Sequence, residues 1–230
     1  MTPTSKRTPR PALTREQIVS TALALVDRGG LSGLTMRRLG AELGVDPMAV
    51  YYHLPNKAAL FDGLVEAVYA EMDTAAALGK AGWRSRIAAT MRQFRQALLR
   101  HPNVVPVVGT RPVATPALFR VLQLGLEELQ EAGFALQRSL DLLTCATTYV
   151  VGHCLAEVGQ PVGGDTLDPV DVVQALDPAE FALVVAAFGE YRYDPDAQFE
   201  LGLTAMLAGM PDPVTPPGGP AAPSSSRSEG

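Results

Sequence analysis

The chain has 230 residues, of which 47% are hydrophobic and 6% aromatic, so it can bury a core in a small domain and a larger one. Its formal charge of −5 would by itself argue against a nucleic-acid partner. The charge is unevenly distributed, however, because residues 1–60 carry +4 and the remaining 170 residues carry −9. Nucleic-acid binding is therefore open to the basic N-terminal part.

The composition also excludes several classes of protein. No stretch is apolar for the roughly 20 residues that a membrane span needs, and the N-terminus lacks the apolar core of a signal peptide. Cys145 and Cys154 form neither a disulfide framework nor a zinc signature, and they are expected to be buried thiols. Three histidines without a catalytic or phosphate-binding motif disfavour an enzyme. We therefore expect a cytoplasmic protein that is not an enzyme and uses no metal or cofactor.

Residues 1–12 are polar, proline-rich and basic, which predicts a disordered arm. This arm either lies along phosphates or the minor groove, as the arms of some DNA-binding domains do, or only aids solubility, which is the favoured interpretation. Thr14 is predicted to cap a helix that begins at the next residue. Gln17, three residues after Thr14, completes the capping box. Gly29 and Gly30 end this helix. Its apolar stripe consists of Ile18, Ala22, Leu25 and Val26.

Residues 35–57, with the sequence TMRRLGAELGVDPMAVYYHLPNK, predict two short helices joined by a tight turn. Thr35 can cap the first helix with its hydroxyl, and Gly44 ends it. The second helix has Asp46 as its cap and Pro47 at its first position, where the missing N–H costs nothing. The apolar inner stripe of the first helix is Met36, Leu39 and Leu43. This arrangement predicts a helix-turn-helix whose second helix is the recognition helix.

The side chains of the second helix suit DNA better than they suit a core. Three consecutive ring residues fan around the helix and cannot all be buried: Tyr51, Tyr52 and His53. Their donors can fix register on a phosphate, while Met48 and Ala49 can contact a thymine methyl. Arg37 on the preceding helix can reach a base edge or a phosphate. The chemistry alone is equally compatible with an ordinary surface helix pair that buries one tyrosine.

A longer helix follows from Asn56, a good N-cap, and runs from the helix-turn-helix into the second domain. Its apolar residues repeat at helical spacing: Leu60, Phe61, Leu64, Val65, Val68, Tyr69 and Met72. After a break at residues 78–82, an amphipathic helix covers residues 83–101 and is stopped by Pro102. Residues 103–116 contain too many prolines for a long helix and are expected to be a loop or short turns.

Two helices follow the proline-rich segment, and the second of them is the most apolar helix of the chain. The first begins at Thr115 or Pro116 and ends at Gly133, and the second covers residues 136–158. The second helix carries a stripe of Cys145, Tyr149 and His153. The tyrosine and the histidine either contribute polar groups to a pocket or lie in a core or interface, where a carbonyl bonds the histidine. The core or interface position is the favoured interpretation.

The C-terminal part alternates loops and helices. Residues 159–176 are rich in Gly, Pro and Asp and are expected to be a loop. Asp177 and Pro178 then open a short helix, and Pro195 opens the last one. Beyond it, the composition of Pro, Gly, Ser and Ala cannot bury a core, so residues 211–230 are expected to be a disordered tail.

The residues from about 13 to 72 resemble the N-terminal domain of the tetracycline-repressor (TetR) family of bacterial transcription regulators. The resemblance rests on LTMRRLGAELGV, on the Tyr51-Tyr52-His53 run, on Asn56-Lys57 and on ALFDGLVEAV, a long pattern without gaps. It implies three helices, of which the third enters the major groove. It also implies a fourth helix, from Lys57, that links them to a ligand-binding domain and acts as a lever.

Carried over to this sequence, the resemblance assigns DNA contacts. Arg37 matches a base-contacting position. The tip of the reading helix is formed by Pro47, Met48 and Ala49. Phosphate-contacting positions are matched by Thr35, Tyr51 and Lys57. Together with Tyr52 and His53, these residues are the predicted DNA-binding site.

A second resemblance, to the ligand-binding domain of the tetracycline-repressor subgroup, rests on Phe94, on Gly109-Thr110-Arg111-Pro112 and on Gly133-Phe134. In that subgroup the Gly-Thr-Arg-Pro element borders the drug pocket and moves when ligand enters. The resemblance and the stripe described above together predict a ligand-binding set of nine residues. These are Asp73, Thr90, Phe94, Val108, Thr110, Arg111, Pro112, Tyr149 and His153.

The sequence departs from this subgroup at positions that matter for the ligand. Val107 and Val108 stand where a magnesium-ligating histidine is expected. Asp73 stands where another histidine is expected, and Thr90 stands where an asparagine is expected. A tetracycline–Mg²⁺ effector is therefore disfavoured. A valine-lined opening beside Phe94 favours a more apolar small molecule.

Together these patterns predict an all-α protein with four parts: a disordered arm (1–12), a helix-turn-helix domain (13–58), a ligand-binding and dimerisation domain (59–210) and a disordered tail (211–230). By resemblance, the helices from residues 136 and 195 pair with their twins in a homodimer. We expect a repressor that a small, fairly apolar effector releases from a palindromic operator. An activator of the same fold, or a small-molecule binding protein that does not read an operator, are the alternatives.

Overall fold

The computed structural model describes residues 12–77, 79–111, 114–159 and 168–213, and within these ranges the regular structure is entirely helical. The prediction of an all-α fold is confirmed. The predicted arm up to residue 11, Pro112 and the predicted tail from residue 214 lie outside the described residues. The α-helices are α1 (Arg15–Gly29), α2 (Met36–Leu43), α3 (Pro47–His53), α4 (Lys57–Ala70), α5 (Trp83–Arg100), α6 (Val105–Thr110), α7 (Pro116–Glu131), α8 (Leu136–Val158), α9 (Pro169–Gln174), α10 (Ala182–Glu190) and α11 (Pro195–Gly209).

The first three helices form a compact unit, called the head below. Thr14 and Gln17 make the reciprocal hydrogen bonds of a capping box at the start of α1, both at 3.2 Å. Thr35 Oγ1 accepts a hydrogen bond from a backbone N–H at the start of α2, and Asp46 Oδ1 accepts one at the start of α3. Gly44 ends α2 at a φ of 66°, which a residue with a side chain adopts only with strain. The predicted helix-turn-helix is therefore present.

The head is held together by a fully buried apolar core, in which α3 takes part through Val50. Each of the first two helices contributes the face that its apolar spacing predicts. The core residues with no exposed surface are Ile18, Ala22, Val26, Leu34, Leu39 and Val50. Because α3 buries so little of its surface, its remaining side chains are left to face outward.

Helix α4 connects the head to the rest of the chain, which is called the body below. Asn56 Oδ1 caps it by accepting a hydrogen bond of 2.8 Å from the Ala59 N–H. One stretch of α4 packs against α1, and the same helix also contacts α5 and α7 of the body. Its buried face consists of Leu60, Leu64, Val65 and Val68. The two parts of the chain therefore share one helix as a common packing element.

The body is built around α5, α8 and α11, with α7 against α4 and α8. Its core includes Phe94, Leu98, Leu129, Phe199 and Leu203, each with 1% or less of its surface exposed. Arg95 of α5 is buried in the same region and makes ion pairs with Glu157 of α8 and Asp196 at the start of α11. These pairs fix the three helices relative to one another, because a buried guanidinium needs its partners in place.

Several expectations about irregular segments were wrong. Part of residues 103–116 forms the six-residue helix α6, since Pro106 falls in its first turn, where a proline does no harm. Helix α9 lies inside residues 159–176, which were expected to be a loop; Asp168 caps it and Pro169 occupies its first position. The residues after Asp177 form a turn, and α10 begins only at Ala182. Cys145, expected to be buried, is exposed, because its side of α8 faces away from the body core.

The contact between α8 and α11 provides a test of the fold. A Cβ on Gly202 of α11 would lie 2.7 Å from Cζ of the Tyr149 ring and 2.9 Å from its Cε2, so only glycine leaves room for the ring. We expect Gly202→Ala to destabilise the protein by about 1–3 kcal/mol through overpacking. Gly209→Ala on the same helix is the control, because a Cβ there meets no atom within 4 Å. Urea unfolding of both variants measures the difference, and equal stability of the two would contradict this packing.

Candidate DNA-binding surface and effector cavity

The outward side of α3 carries the large exposed side chains of the head. Tyr52 is 88% exposed and Met48 is 71% exposed, while Val50 and Leu54 on the opposite side are buried. Tyr51 is also exposed, whereas Ala49 and His53 are half-buried. Packing within the described chain does not account for these large exposed apolar and aromatic side chains. Exposed groups of this kind are typical of a surface that contacts a partner. We call the surface formed by Thr35, Arg37, Pro47, Met48, Ala49, Tyr51, Tyr52, His53 and Lys57 the reading surface.

Two neighbouring arginines on α2 have different surroundings. Arg38 donates a hydrogen bond of 3.4 Å to the Gly33 carbonyl, so it closes the turn before α2. Arg37 is exposed and has no hydrogen-bond or ion-pair partner among the residues described. Lys57, at the start of α4, is exposed as well, with Nζ 5.3 Å from the centre of the Phe61 ring. Arg37 and Lys57 are therefore cations of the reading surface that remain available to phosphates or base edges.

The body contains a cavity of about 290 Å³ between α5 and α7, which is the candidate effector site and is called the effector cavity below. Its apolar side is formed by Ile87, Val121 and Leu124. Thr90 lies in its wall, as do Arg86 and Glu128, whose Nε and Oε1 atoms form an ion pair 2.6 Å apart. Glu127 and Glu131 add two more carboxylates from successive turns of α7. The cavity thus combines an apolar floor with a net negative lining.

The glutamates of the effector cavity were not among the ligand-binding residues predicted from the sequence. Their signal was the run LEELQE near the end of an otherwise apolar helix, where a charged run usually indicates a solvated face. Thr90 is the one predicted ligand-binding residue that lies in this cavity among those described. It also donates a hydrogen bond to the Arg86 carbonyl at 3.2 Å.

The other predicted ligand-binding residues are spread over the body. Phe94 is buried and stacks on Tyr69 with ring centres 5.0 Å apart, and burial raises the pKa of Tyr69 to about 12. Asp73 is exposed and accepts a hydrogen bond from the Ala75 N–H at 3.0 Å. Val108 on α6 is half-buried. The structure therefore does not bring these three residues together with Thr90 in one cavity.

Thr110 and Arg111 lie where α6 approaches the head. Both line a second cavity, of about 390 Å³, together with Leu31 of the head and Phe61 of α4. Arg111 donates two hydrogen bonds to Asp62 Oδ1 on α4, from Nη2 at 2.7 Å and from Nε at 3.0 Å. A doubly hydrogen-bonded guanidinium is a geometrically specific contact. Arg111 therefore attaches the end of α6 to the helix that carries the head.

Tyr149 and His153 lie at the contact of α8 with α11. The Tyr149 hydroxyl donates a hydrogen bond of 2.9 Å to the Phe199 carbonyl. His153 was expected to bond a carbonyl, but its buried Nδ1 has no hydrogen-bond partner and lies 3.6 Å from Glu157 Oε2. Among the residues described, the expected carbonyl bond is therefore absent at this nitrogen, and the carboxylate beside it already accepts a hydrogen bond from Arg95. The two side chains serve helix packing, and neither lines the effector cavity.

The described part of the chain holds no group of three His, Cys, Asp or Glu side chains that could bind a metal ion. Within the same ranges, no helix has both the length and the apolar character required to span a membrane. Burial raises the pKa of the Cys154 thiol to about 11, so this thiol is a poor nucleophile.

An exposed recognition helix on a helix-turn-helix head, joined to a helical body with its own cavity, defines a DNA-binding transcription regulator with a ligand-binding domain. The family described as bacterial regulatory proteins, tetR family, matches residues 18–64, and the tetracyclin repressor-like C-terminal domain matches residues 75–213. The chain belongs to the TetR family.

Individual relatives agree with this assignment over nearly the whole chain. The class A tetracycline repressor from transposon 1721 of Escherichia coli is 35% identical over 196 residues, which are 84% of this chain and 88% of that protein. A possible TetR family transcriptional regulator from Streptomyces coelicolor A3(2) superposes with a TM-score of 0.75 at 30% identity, covering 85% of this chain and 97% of that one. The TetR family protein ActR from Streptomyces coelicolor, in complex with (S)-DNPA, gives 0.72 at 26% identity, with coverages of 86% and 96%.

Arg37 is exposed and has no partner among the residues described, so its substitution tests the reading surface. We expect Arg37→Ala to weaken operator binding by about 1–3 kcal/mol and to relax selectivity, because a base contact would be lost. Arg120→Ala removes the same charge from an exposed position on α7 and should leave binding unchanged. Fluorescence anisotropy with an operator and a scrambled duplex measures both effects. An equal loss on the two duplexes would reassign Arg37 to a phosphate contact.

Proposed function

We propose that this protein is a homodimeric repressor whose two heads bind a near-palindromic operator and which a small effector releases. In this proposal residues 13–58 form the DNA-binding domain and residues 59–210 the ligand-binding and dimerisation domain, in the cytoplasm. The observation that carries the proposal is the reading surface, where α3 exposes Met48 and two tyrosines and the neighbouring α2 exposes Arg37. The similarity to repressors over most of the chain supports the same function.

Exposed apolar side chains on the body support a dimer. Leu136 and Leu140 on α8 and Leu201 on α11 face solvent on helices whose opposite sides are in the core, and Leu201 is 73% exposed. Large apolar side chains exposed on neighbouring helices are what an interface with a second copy would cover. A two-fold pair would present two α3 helices to successive major grooves, about 34–36 Å apart. The dimer is thus required by the proposed mode of operator binding.

The lining of the effector cavity favours a particular type of effector. The apolar floor favours a fairly apolar small molecule, as the sequence predicts. Three glutamates against one arginine oppose an anionic effector, because its negative charge would lie near Glu127 and Glu131. The one arginine in the described lining, Arg86, is already paired with Glu128. We therefore propose an effector with an apolar body and a neutral or cationic polar group.

Effector binding has a structural route to the head. Arg111 bonds Asp62 on α4, and α4 begins at the edge of the reading surface with Lys57. Helix α7, which forms one wall of the effector cavity, also packs on α4. A ligand that displaces α7 would therefore move α4 and the head with it. Release from DNA then follows from thermodynamic linkage. A ligand that binds the displaced arrangement more tightly shifts the protein toward it, and operator affinity can fall by at most the ratio of the ligand's affinities for the two arrangements.

The function is tested by anisotropy of the purified full chain with the palindromic DNA that flanks its own gene, beside a scrambled duplex, over a series of salt concentrations. We expect selective binding at two chains per site, with an affinity that falls steeply as salt rises. Equal and weak binding to both duplexes would contradict the proposed operator function. It would leave a small-molecule binding protein as the remaining function.

The preference of the effector cavity is tested with three probes of similar shape: 1-naphthylmethylamine, 1-naphthalenemethanol and 1-naphthoic acid. Isothermal titration calorimetry should show that the amine binds about fivefold more tightly than the acid, because the carboxylates of Glu127 and Glu131 attract a cation. A double variant, Glu127→Gln with Glu131→Gln, should remove this preference. Glu190→Gln on α10, outside the cavity, is the control. Tighter binding of the acid to the unmodified protein would disprove the proposed charge selection.

A further inference from the structure

His101 lies between two carboxylates that belong to different parts of the chain. Its Nδ1 is 2.9 Å from Asp27 Oδ2 on α1 of the head, and its Nε2 is 2.9 Å from Glu71 Oε1, directly after α4. Only 12% of the His101 side chain is exposed. One imidazole ring at the end of α5 therefore links the body, the connecting helix and the head.

The two contacts determine how many protons the imidazole ring carries. An ionised carboxylate can only accept hydrogen bonds, and a neutral imidazole has only one N–H to donate. Both contacts are hydrogen bonds only if both ring nitrogens carry a proton, which makes the ring a cation. Burial raises the pKa of Glu71, but hydrogen bonds from Arg100 and His101 outweigh burial and lower it overall. Glu71 is therefore a carboxylate in this arrangement.

The charged groups around the ring come from each element that packs there. The head contributes Asp27 and the neighbouring Arg28, which is paired with Glu42 at 2.7 Å. Glu71 follows α4, and Arg100 of α5 donates to Glu71 Oε2 at 2.9 Å. A neutral bond adds to the same joint, because the side-chain amide of Asn103 donates to the backbone carbonyl of Val26 at 3.0 Å. The carboxylates of Asp27 and Glu71 thus meet the protonated ring and Arg100 where head and body join.

We propose that His101, in its cationic form, is a positioning residue for operator binding, because it fixes the head on the body. This inference rests on the proposed operator function. Operator binding selects a narrow range of head orientations, and a head held by both His101 bonds loses less conformational freedom on binding. A neutral imidazole has a single N–H and keeps only one of the two bonds, so loss of the ring proton removes one link between the head and the body.

Operator affinity of the full-length protein is measured by anisotropy at pH 6.0, 7.0 and 8.0. His53 is a second histidine, located on the reading surface itself, so every variant is also made in a His53→Gln background to isolate the effect of His101. We expect His101→Gln to weaken binding about fivefold at pH 6.0 and to flatten the pH profile, since it removes an ion pair of ordinary strength. His101→Arg, whose charge is permanent, should restore the affinity and keep it at pH 8.0.

The outcomes separate a positioning role from a merely structural one. A His101→Gln profile parallel to that of the unmodified protein would overturn the inference. So would a His101→Arg variant that binds as weakly as His101→Gln at every pH.

Hydrogen exchange of residues 22–29 provides a readout without DNA. At pH 6.0, His101→Gln should speed exchange in this segment at the end of α1, and His101→Arg should not. Faster exchange in His101→Gln alone, without selective operator binding by any variant, would uphold the joint and disprove the proposed repressor function. Unchanged exchange in both variants would overturn the joint itself.

Discussion

The arrangement of this molecule depends on the apolar face of one helix, α4, which packs into the head and into the body at once. Leu60, Leu64 and Val68 have no exposed surface, and their neighbours include α1 on one side and α5 and α7 on the other. The helix has 14 residues, so it is about 21 Å long and behaves as a rigid element. Movement of the body therefore reaches the head as a rotation or displacement of α4.

Polar contacts surround this apolar connection and set the orientation of the head. Arg15 pairs with Glu66, Arg111 with Asp62, and His101 with Asp27. All three are partly exposed, and such pairs contribute little net stability individually. Their value lies in geometry, because each can be broken at small cost while the apolar core stays intact. A joint of strong core packing and weak charged links is compatible with the proposed release from DNA, in which the head shifts between two orientations.

Much of the fold was predictable because its signals are local. Caps such as Thr35, Asp46 and Asn56 specify helix starts from a few neighbouring residues, so most long helices were predicted to within a few residues. Helices α6 and α9 were missed, although each has a proline in its first turn, because proline-rich and Asp-rich segments also favour loops. The exposed side of α3 was predictable as well, since three consecutive rings cannot all be buried.

The sequence by itself determined the helical class, the helix-turn-helix and the outward position of rings on its second helix, because periodicity and capping act over a few residues. Only the tertiary structure decided which side chains from distant segments meet. The effector cavity gathers Thr90 of α5 with Glu128 of α7, and the head-to-body joint gathers Asp27, Glu71 and His101. No local pattern relates such positions, since their distances are set by how the helices pack across 30 to 74 residues of chain.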